Sequence, residues 1–287
     1  MRGGSLVVAP LKVLVQTGRG RMLPLSPKLT RLYGSLRMPL PRAHPYVYSN
    51  FVTTLDGVVS LNIKGHASGG DISGFSAQDR MVMGLLRAVA DVVIIGAGTL
   101  ATDRRHVWTA AAIFPALAEE YQLLREALRQ PGPPCNVIVS GSGRIDLRLP
   151  VFTSGKVKVL ILTTTAGAKR LREQPDAGSV EVRALRANAA TISASAILAE
   201  VSRMRLGRRI LVEGGPRLLG DFYAEGLLDE QFLTLAPQIA GREVGDRRLS
   251  LVMGKEFAPG DSLWGSVNDV RRGGSHLFLR YSFPRAP

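Results

Sequence analysis

The stretch Arg209-Ile-Leu-Val-Glu-Gly-Gly-Pro-Arg-Leu-Leu-Gly220 decides how this 287-residue chain folds. Ile210, Leu211 and Val212 form a short apolar run without alternation, the mark of a strand buried on both faces, and Glu213 closes it. Gly214 and Gly215 then allow a tight turn and a close approach of backbone to a ligand. Pro216 suits the first position of a helix whose free N–H groups point back at that turn. Helical spacing puts Leu219, Phe222 and Tyr223 on its inward face. In open α/β sheets ligands lie beyond the carboxyl ends of the strands, which places Glu213 and both glycines at a candidate crevice. A plain strand-to-helix turn is the other reading of this segment taken alone.

The same grammar extends outward. The β-rich runs 46–54, 91–96, 135–140, 157–163 and 180–185 precede segment 209–213, and helical patterns separate most of them. Met81, Leu85, Leu86 and Val89 mark one helix, and Leu117, Tyr121, Leu124 and Leu128 a second. A third is expected to be capped by Thr191, to carry Ile197, Val201 and Met204, and to stop at Gly207. The end of the chain differs. Runs 231–237, 262–271 and 275–283 follow one another without a crossover helix, and the last puts Leu277, Leu279, Tyr281 and Phe283 on one face, as an antiparallel strand would. The expected class is therefore α/β, with a mixed, mostly parallel sheet and a C-terminal antiparallel hairpin. Residues 1–44 carry five prolines and read as a basic arm with one short helix, capped by Ser26 and opened by Pro27; residues 45–287 read as the main domain.

Composition removes several classes of function. Nothing approaches the roughly 18 consecutive apolar residues of a membrane-spanning helix. The lone Cys135 forbids an internal disulfide and suits a reducing, cytoplasmic setting. The four histidines are scattered, with no metal-ligand spacing, so no metal is expected. Neither a Gly-x-Ser-x-Gly elbow nor a Gly-Lys-Ser/Thr phosphate loop is present. The net charge of +14 invites a nucleic-acid reading, but eight of the basic residues and no acidic ones fall in residues 1–55. The remaining body is only mildly basic and lacks aromatics interleaved with Lys/Arg, which argues against nucleic acid.

Three further strands run into small turns: Ile94-Ile-Gly-Ala-Gly-Thr-Leu100, Ser140-Gly-Ser-Gly-Arg144 and Thr163-Thr-Thr-Ala-Gly167. None has the third glycine and following acid of a dinucleotide fingerprint. Four such turns on one sheet edge would nonetheless suit an extended anionic ligand. Thr53-Thr-Leu-Asp-Gly57 ends the first strand; if that strand joins the parallel set, Asp56 opens onto the crevice of Glu213.

Thr-Leu-Asp-Gly on the first strand, a helix ending Leu-Leu-Arg, Ala-Asp-Val-Val-Ile-Ile-Gly-Ala-Gly-Thr and Val-Glu-Gly-Gly-Pro follow in that order. With Leu-Leu-Asp-Glu and Ala-Pro downstream, they resemble the reductase domain of riboflavin biosynthesis over roughly residues 46–241. The resemblance implies a dihydrofolate reductase-like, three-layer fold, NADPH as cofactor, a ribosylaminopyrimidine phosphate as the small-molecule substrate, and a homodimer. It implies that Val52, Thr99, Asp103, Ser140 and Gly214, Gly215, Pro216, Arg217, Leu218 and Leu219 line the cofactor site, with Val52 near the nicotinamide; Gly96 and Thr163, at the ends of their strands, join that set. Asp56, Arg87 and Glu213 would face the substrate, with Asp56 or Glu213 holding ribose hydroxyls or relaying a proton. Arg144 and Lys169 are candidates for the 2′-phosphate of NADPH. The chain departs from the family at Asp103-Arg104-Arg105, where Asp-Asp-Pro is usual, and at Ala110, where an arginine near the substrate phosphate is usual. The missing deaminase partner fits a stand-alone homologue. A dihydrofolate reductase-like activity on a pterin, or a protein that binds NADPH without reducing anything, are the alternatives. Glu213→Gln is expected to cost turnover with the fold intact.

Overall fold

The computed structural model describes residues 8–40, 44–175, 178, 180–185 and 191–285. Its strands are β1 (Lys12–Gln16), β2 (Arg21–Met22), β3 (Arg37–Met38), β4 (Tyr46–Thr53), β5 (Val58–Ser60), β6 (Val92–Gly96), β7 (Cys135–Ser140), β8 (Val159–Thr163), β9 (Glu181–Ala184), β10 (Arg209–Gly214), β11 (Glu230–Leu235), β12 (Leu249–Ser250), β13 (Ser266–Gly273) and β14 (His276–Ser282). The helices are α1 (Pro27–Tyr33), α2 (Gly69–Ser73), α3 (Ala77–Val89), α4 (Ala97–Thr102), α5 (Ala110–Ile113), α6 (Ala118–Ala127), α7 (Pro150–Thr153), α8 (Thr165–Arg172), α9 (Ala194–Arg203) and α10 (Pro216–Ala224).

Ten strands form one sheet in the order β1-β13-β14-β11-β4-β10-β6-β7-β8-β9. The ladder from β11 to β9 is parallel throughout, and β14, β13 and β1 extend it antiparallel. The central strands are apolar on both faces because helices cover both. One face packs Tyr48, Val93, Ile95, Ile138 and Leu211 against α1, α3 and α6; the other packs Val47, Ile94, Val137, Ile210 and Val212 against α9 and α10. The mixed sheet, its flanking helices and the C-terminal hairpin β13–β14 agree with the class read from the sequence.

One local expectation needs correction. The cap of α9 is Ser193, whose hydroxyl accepts from the Ala196 N–H at 3.2 Å, rather than Thr191, and the helix ends at Arg203. The Glu225 carboxylate accepts from the N–H groups of Ala194 and Ser195, so the helix starts where two side chains satisfy its free donors. On the antiparallel strand β14, Leu277, Leu279 and Tyr281 share one face as the sequence suggested and are half-buried, while Phe278 and Arg280 on the opposite face are buried.

Ser26 caps α1 by accepting from the Leu29 N–H at 3.2 Å, and Pro27 is its first residue. Segment 8–40 is built into the body: β1 is the edge strand of the main sheet, and Leu11, Leu23, Leu29, Leu32, Tyr33, Leu36 and Met38 are buried. It also closes over a buried charge network. Arg280 donates to Glu230 at 2.8 and 2.9 Å and pairs with Asp269 at 3.0 Å. Arg271 donates to the carbonyls of Tyr33 and Ser35 at 3.0 and 2.8 Å and lies over the Tyr33 ring. Both arginines are 1% exposed, so carboxylates for Arg280 and the carbonyls of the arm for Arg271 supply partners that water would otherwise have to supply.

Candidate active site

Glu213 is the penultimate residue of β10 and sits beside the end of β6, because Ile210 to Val212 pair in parallel with Val92 to Ile94 before the ladder shifts at Gly214. On the other side β10 pairs in parallel with β4, so the Asp56 turn lies on the same sheet edge. The four small turns follow β10, β6, β7 and β8, which are consecutive in the sheet.

The Gly214-Gly215 turn, whose peptide bond is cis, fits tightly against the turn after β6. A Cβ on Gly214 would lie 2.3 Å from the Thr99 hydroxyl, and one on Gly96 3.2 Å from the Gly215 nitrogen. A Cβ on Gly215 would meet only the Thr99 hydroxyl, at 3.4 Å. Gly214 and Gly96 are thus required for packing, whereas Gly215 leaves open space at the start of α10. That helix has no side-chain cap, so the N–H groups of Arg217 and Leu218 are available to a ligand. The Leu219 N–H is occupied by the Gly215 carbonyl, and its side chain is buried.

At the next two strand ends the side chains brace the backbone. Ser140 accepts from the Gly143 N–H at 3.1 Å, and Thr163 donates to the Ser140 carbonyl at 2.6 Å. Gly143 has a φ of +64°, and a Cβ there would meet Gly167 backbone atoms at 2.3 to 2.7 Å, so these turns interlock. Arg144 and Lys169 are exposed on their rim.

Arg87, on the last turn of α3, is 2% exposed and is committed to Glu213: its Nε donates to both carboxylate oxygens at 2.9 Å and its Nη2 to Oε2 at 2.6 Å. Its Nη1 contacts His106 Nε2 at 2.6 Å and donates to the Thr109 carbonyl at 3.3 Å. Because a guanidinium only donates, His106 Nε2 must accept, which puts the imidazole proton on Nδ1. Burial, with the neighbouring Arg87 charge adding to it, pushes His106 down to about 3, so the ring is neutral. Nothing in the spacing of Arg87 and His106, nineteen residues apart on different elements, announced this contact; the histidines had read as scattered. Asp103, at the end of α4, is raised above the usual carboxylate range by burial. The Arg87 charge opposes that shift, and the negative charges of Asp71 and Glu213 add to it.

Asp56 is engaged with the chain itself. It accepts from the Thr54 hydroxyl at 2.5 Å and from the N–H groups of Ala240 and Gly241 at 3.1 and 2.7 Å, and these bonds hold it down at about 2. It therefore ties the turn after β4 to the segment following β11. Val52 is buried against Val58, Ile72 and Ala236, with Gly69 of α2 packed on it. Arg104 pairs with Asp146 at 2.8 Å, Ala110 is buried, and Arg105 is exposed with no partner among the described residues. No group of three or more His, Cys, Asp or Glu able to hold a metal occurs among the described residues, and no helix there is long and apolar enough to cross a membrane.

Against known proteins, the family model described as RibD C-terminal domain matches residues 45–253. The chain is 25% identical over 200 residues, 69% of its own length and 82% of the relative's, to the 2,5-diamino-6-ribosylamino-4(3H)-pyrimidinone 5′-phosphate reductase of Archaeoglobus fulgidus. It is 23% identical over 211 residues, 72% of its own length, to the riboflavin biosynthesis protein RibD of Aquifex aeolicus, of which it spans 51%. Among solved structures, a pyrimidine reductase-like protein of Corynebacterium diphtheriae superposes with a TM-score of 0.68 at 21% identity, covering 90% of this chain and 98% of that one. The riboflavin biosynthesis reductase of Saccharomyces cerevisiae gives 0.57 at 14% identity, covering 86% and 93%. The structural likenesses bear on the fold.

Proposed function

The chain belongs to the RibD C-terminal domain family, and from that premise we propose that it is an NADPH-dependent reductase of a ribosylaminopyrimidine 5′-phosphate in riboflavin biosynthesis. The observation that carries this reading is the bare Gly214-Gly215 turn at the uncapped start of α10, set directly beside the Arg87–Glu213 pair. Backbone N–H groups with no side chain in front of them suit the pyrophosphate of a dinucleotide, and Gly215 leaves the room. Arg217, Leu218 and Thr99 would hold that group, with the turns ending at Gly96, Ser140 and Thr163 continuing the cradle along the edge. Arg144 or Lys169 would meet the 2′-phosphate that distinguishes NADPH from NADH. Once bound, the cofactor supplies a hydride for the imine-like carbon of the opened ribose.

The chain's own residues position and neutralise. Arg87 fixes the Glu213 carboxyl in direction, and the neutral His106 holds Arg87 from the other side while keeping a proton on Nδ1. Asp103, raised by burial, is a carboxyl suited to hold a proton and deliver it to the nitrogen that gains one on reduction. Asp56 acts by fixing the loop at Ala240 and Gly241 that borders the crevice. Arg105, exposed beside Asp103 and His106, is the cation available to a substrate phosphate where Ala110 offers none.

A homodimer fits the open end of the sheet. Val15, Val270, Leu279, Leu233 and Phe51 are cross-strand neighbours over five strands, and all are half-buried or exposed. A reducing, cytoplasmic setting suits the buried Cys135, whose thiol burial pushes up to about 11. The test is NADPH consumption by the purified protein with the ribosylaminopyrimidine phosphate, with NADH in parallel. Turnover with NADPH preferred supports the reading; no turnover with either nucleotide overturns it.

A further inference from the structure

At the opposite end of β4 from Asp56 lies a cleft of about 580 Å³, formed where the N-terminal segment, the entry to β4 and the residues after β14 meet. Its basic lining residues are Arg19, Arg21, His44 and Arg285, and the one carboxylate among its described lining residues is Asp229. That carboxylate is spent: Arg285 donates to its two oxygens at 2.5 and 2.6 Å, and the Val47 N–H donates to Oδ2 at 2.7 Å. The guanidinium groups of Arg19 and Arg21 are exposed and have no partner among the described residues.

The backbone that carries these two arginines is braced. They flank Gly20, whose φ is +110° and whose Cβ position lies 2.4 Å from the carbonyl carbon and oxygen of Met38, so only glycine lets the chain pass there. The strands β2 and β3 pair on the far side, and Arg37 donates to the Gly20 carbonyl at 3.3 Å. Pro39, Leu40 and Pro45 give the cleft apolar walls. A cavity in the size range of small-molecule sites, walled by apolar groups and rimmed by two guanidiniums that have no partner among the described residues, matches an organic anion. Guanidinium forks match phosphate oxygens two at a time.

We propose that this cleft is a second ligand site, one that binds a phosphate-bearing small molecule. The eight residues of β4 separate it from the crevice by about 23 Å. It does not depend on the reductase reading, and its failure would leave that reading intact.

The test is calorimetric titration of the full chain with inorganic pyrophosphate, AMP and adenosine, with and without saturating NADPH to block the other phosphate site. Pyrophosphate and AMP are expected to bind in both conditions and adenosine in neither. The double variant Arg19→Gln/Arg21→Gln should bind both anions at least tenfold more weakly, with its melting temperature and NADPH affinity unchanged. The proposal is overturned if neither anion binds, if the double variant binds as tightly, or if NADPH displaces the anions. It is equally overturned if a single-stranded oligonucleotide binds through Arg19 and Arg21 while pyrophosphate and AMP do not.

Discussion

Replacing Glu213 by Gln should unseat Arg87 and destabilise the whole domain. The two side chains are 3% and 4% exposed and share three N–H···O contacts of 2.6 to 2.9 Å. At an effective dielectric constant near 20, unit charges about 4 Å apart attract by about 4 kcal/mol. Removing one member of a buried pair costs about 3 to 5 kcal/mol, chiefly because the other charge stays buried without a counter-ion. With an unfolding entropy of roughly 2 cal/mol/K per residue, that loss lowers the melting temperature by about 5 to 8 °C. Glu213→Gln should therefore lose stability as well as turnover, which revises the expectation from sequence that the fold would be untouched. Urea denaturation of Glu213→Gln, Arg87→Met and the double variant Arg87→Met/Glu213→Leu checks it. Each single change should cost about 3 kcal/mol or more, and the double change clearly less than their sum. Singles costing under about 1 kcal/mol, or strictly additive ones, would refute the argument that the pair is buried and coupled.

The neighbouring glycines should separate packing from binding: Gly214→Val drives a side chain into Thr99 and should lower stability and NADPH affinity together, whereas Gly215→Val should abolish NADPH binding with a near-normal melting temperature. A Gly215→Val protein that binds NADPH normally would remove the cofactor site from this turn. Folding keeps His106 neutral, so its imidazole resonances should not titrate between about pH 5 and 8. The unfolded chain takes up that proton near its ordinary value of 6.5, so native stability should fall as pH drops from there toward 3, by about 2 kcal/mol at pH 5; a His106 midpoint near 6.5 by NMR would contradict this. Deleting residues 1–44 strips seven buried apolar side chains at very roughly 1.5 to 3 kcal/mol each and bares Arg271, so the truncated chain should not fold cooperatively. A sharp thermal transition in the truncated protein would show that the segment is dispensable.

The parallel core was legible because its strands are short, apolar on both faces and punctuated by Gly-rich turns, and the order of those turns placed Glu213, Thr99 and Asp56 on one edge. What escaped the sequence lacks a local signal. Strand β1 is wholly exposed along its length, so its residues carry no period-2 pattern, and its place follows only from pairing with β13 more than 250 residues away. Arg271 and Arg280 read as surface residues by type and are buried because carboxylates and arm carbonyls from distant segments converge on them. Arg87 is likewise buried by Glu213 and His106, partners that helical spacing could not supply. Thr191 looked like a cap because threonine is a good one; Ser193, two residues on, won because the Glu225 carboxylate also reaches that turn.

The central claim is that a hydride passes from NADPH to a substrate held over this sheet edge. Its most direct test uses NADPH deuterated at the transferable position, with the ribosylaminopyrimidine phosphate and dihydrofolate offered in parallel and the products weighed by mass spectrometry. The account predicts one deuterium in the ribityl product of the pyrimidine, lost when Gly215 is replaced by Val. Deuterium in tetrahydrofolate alone, or in neither product, would contradict it.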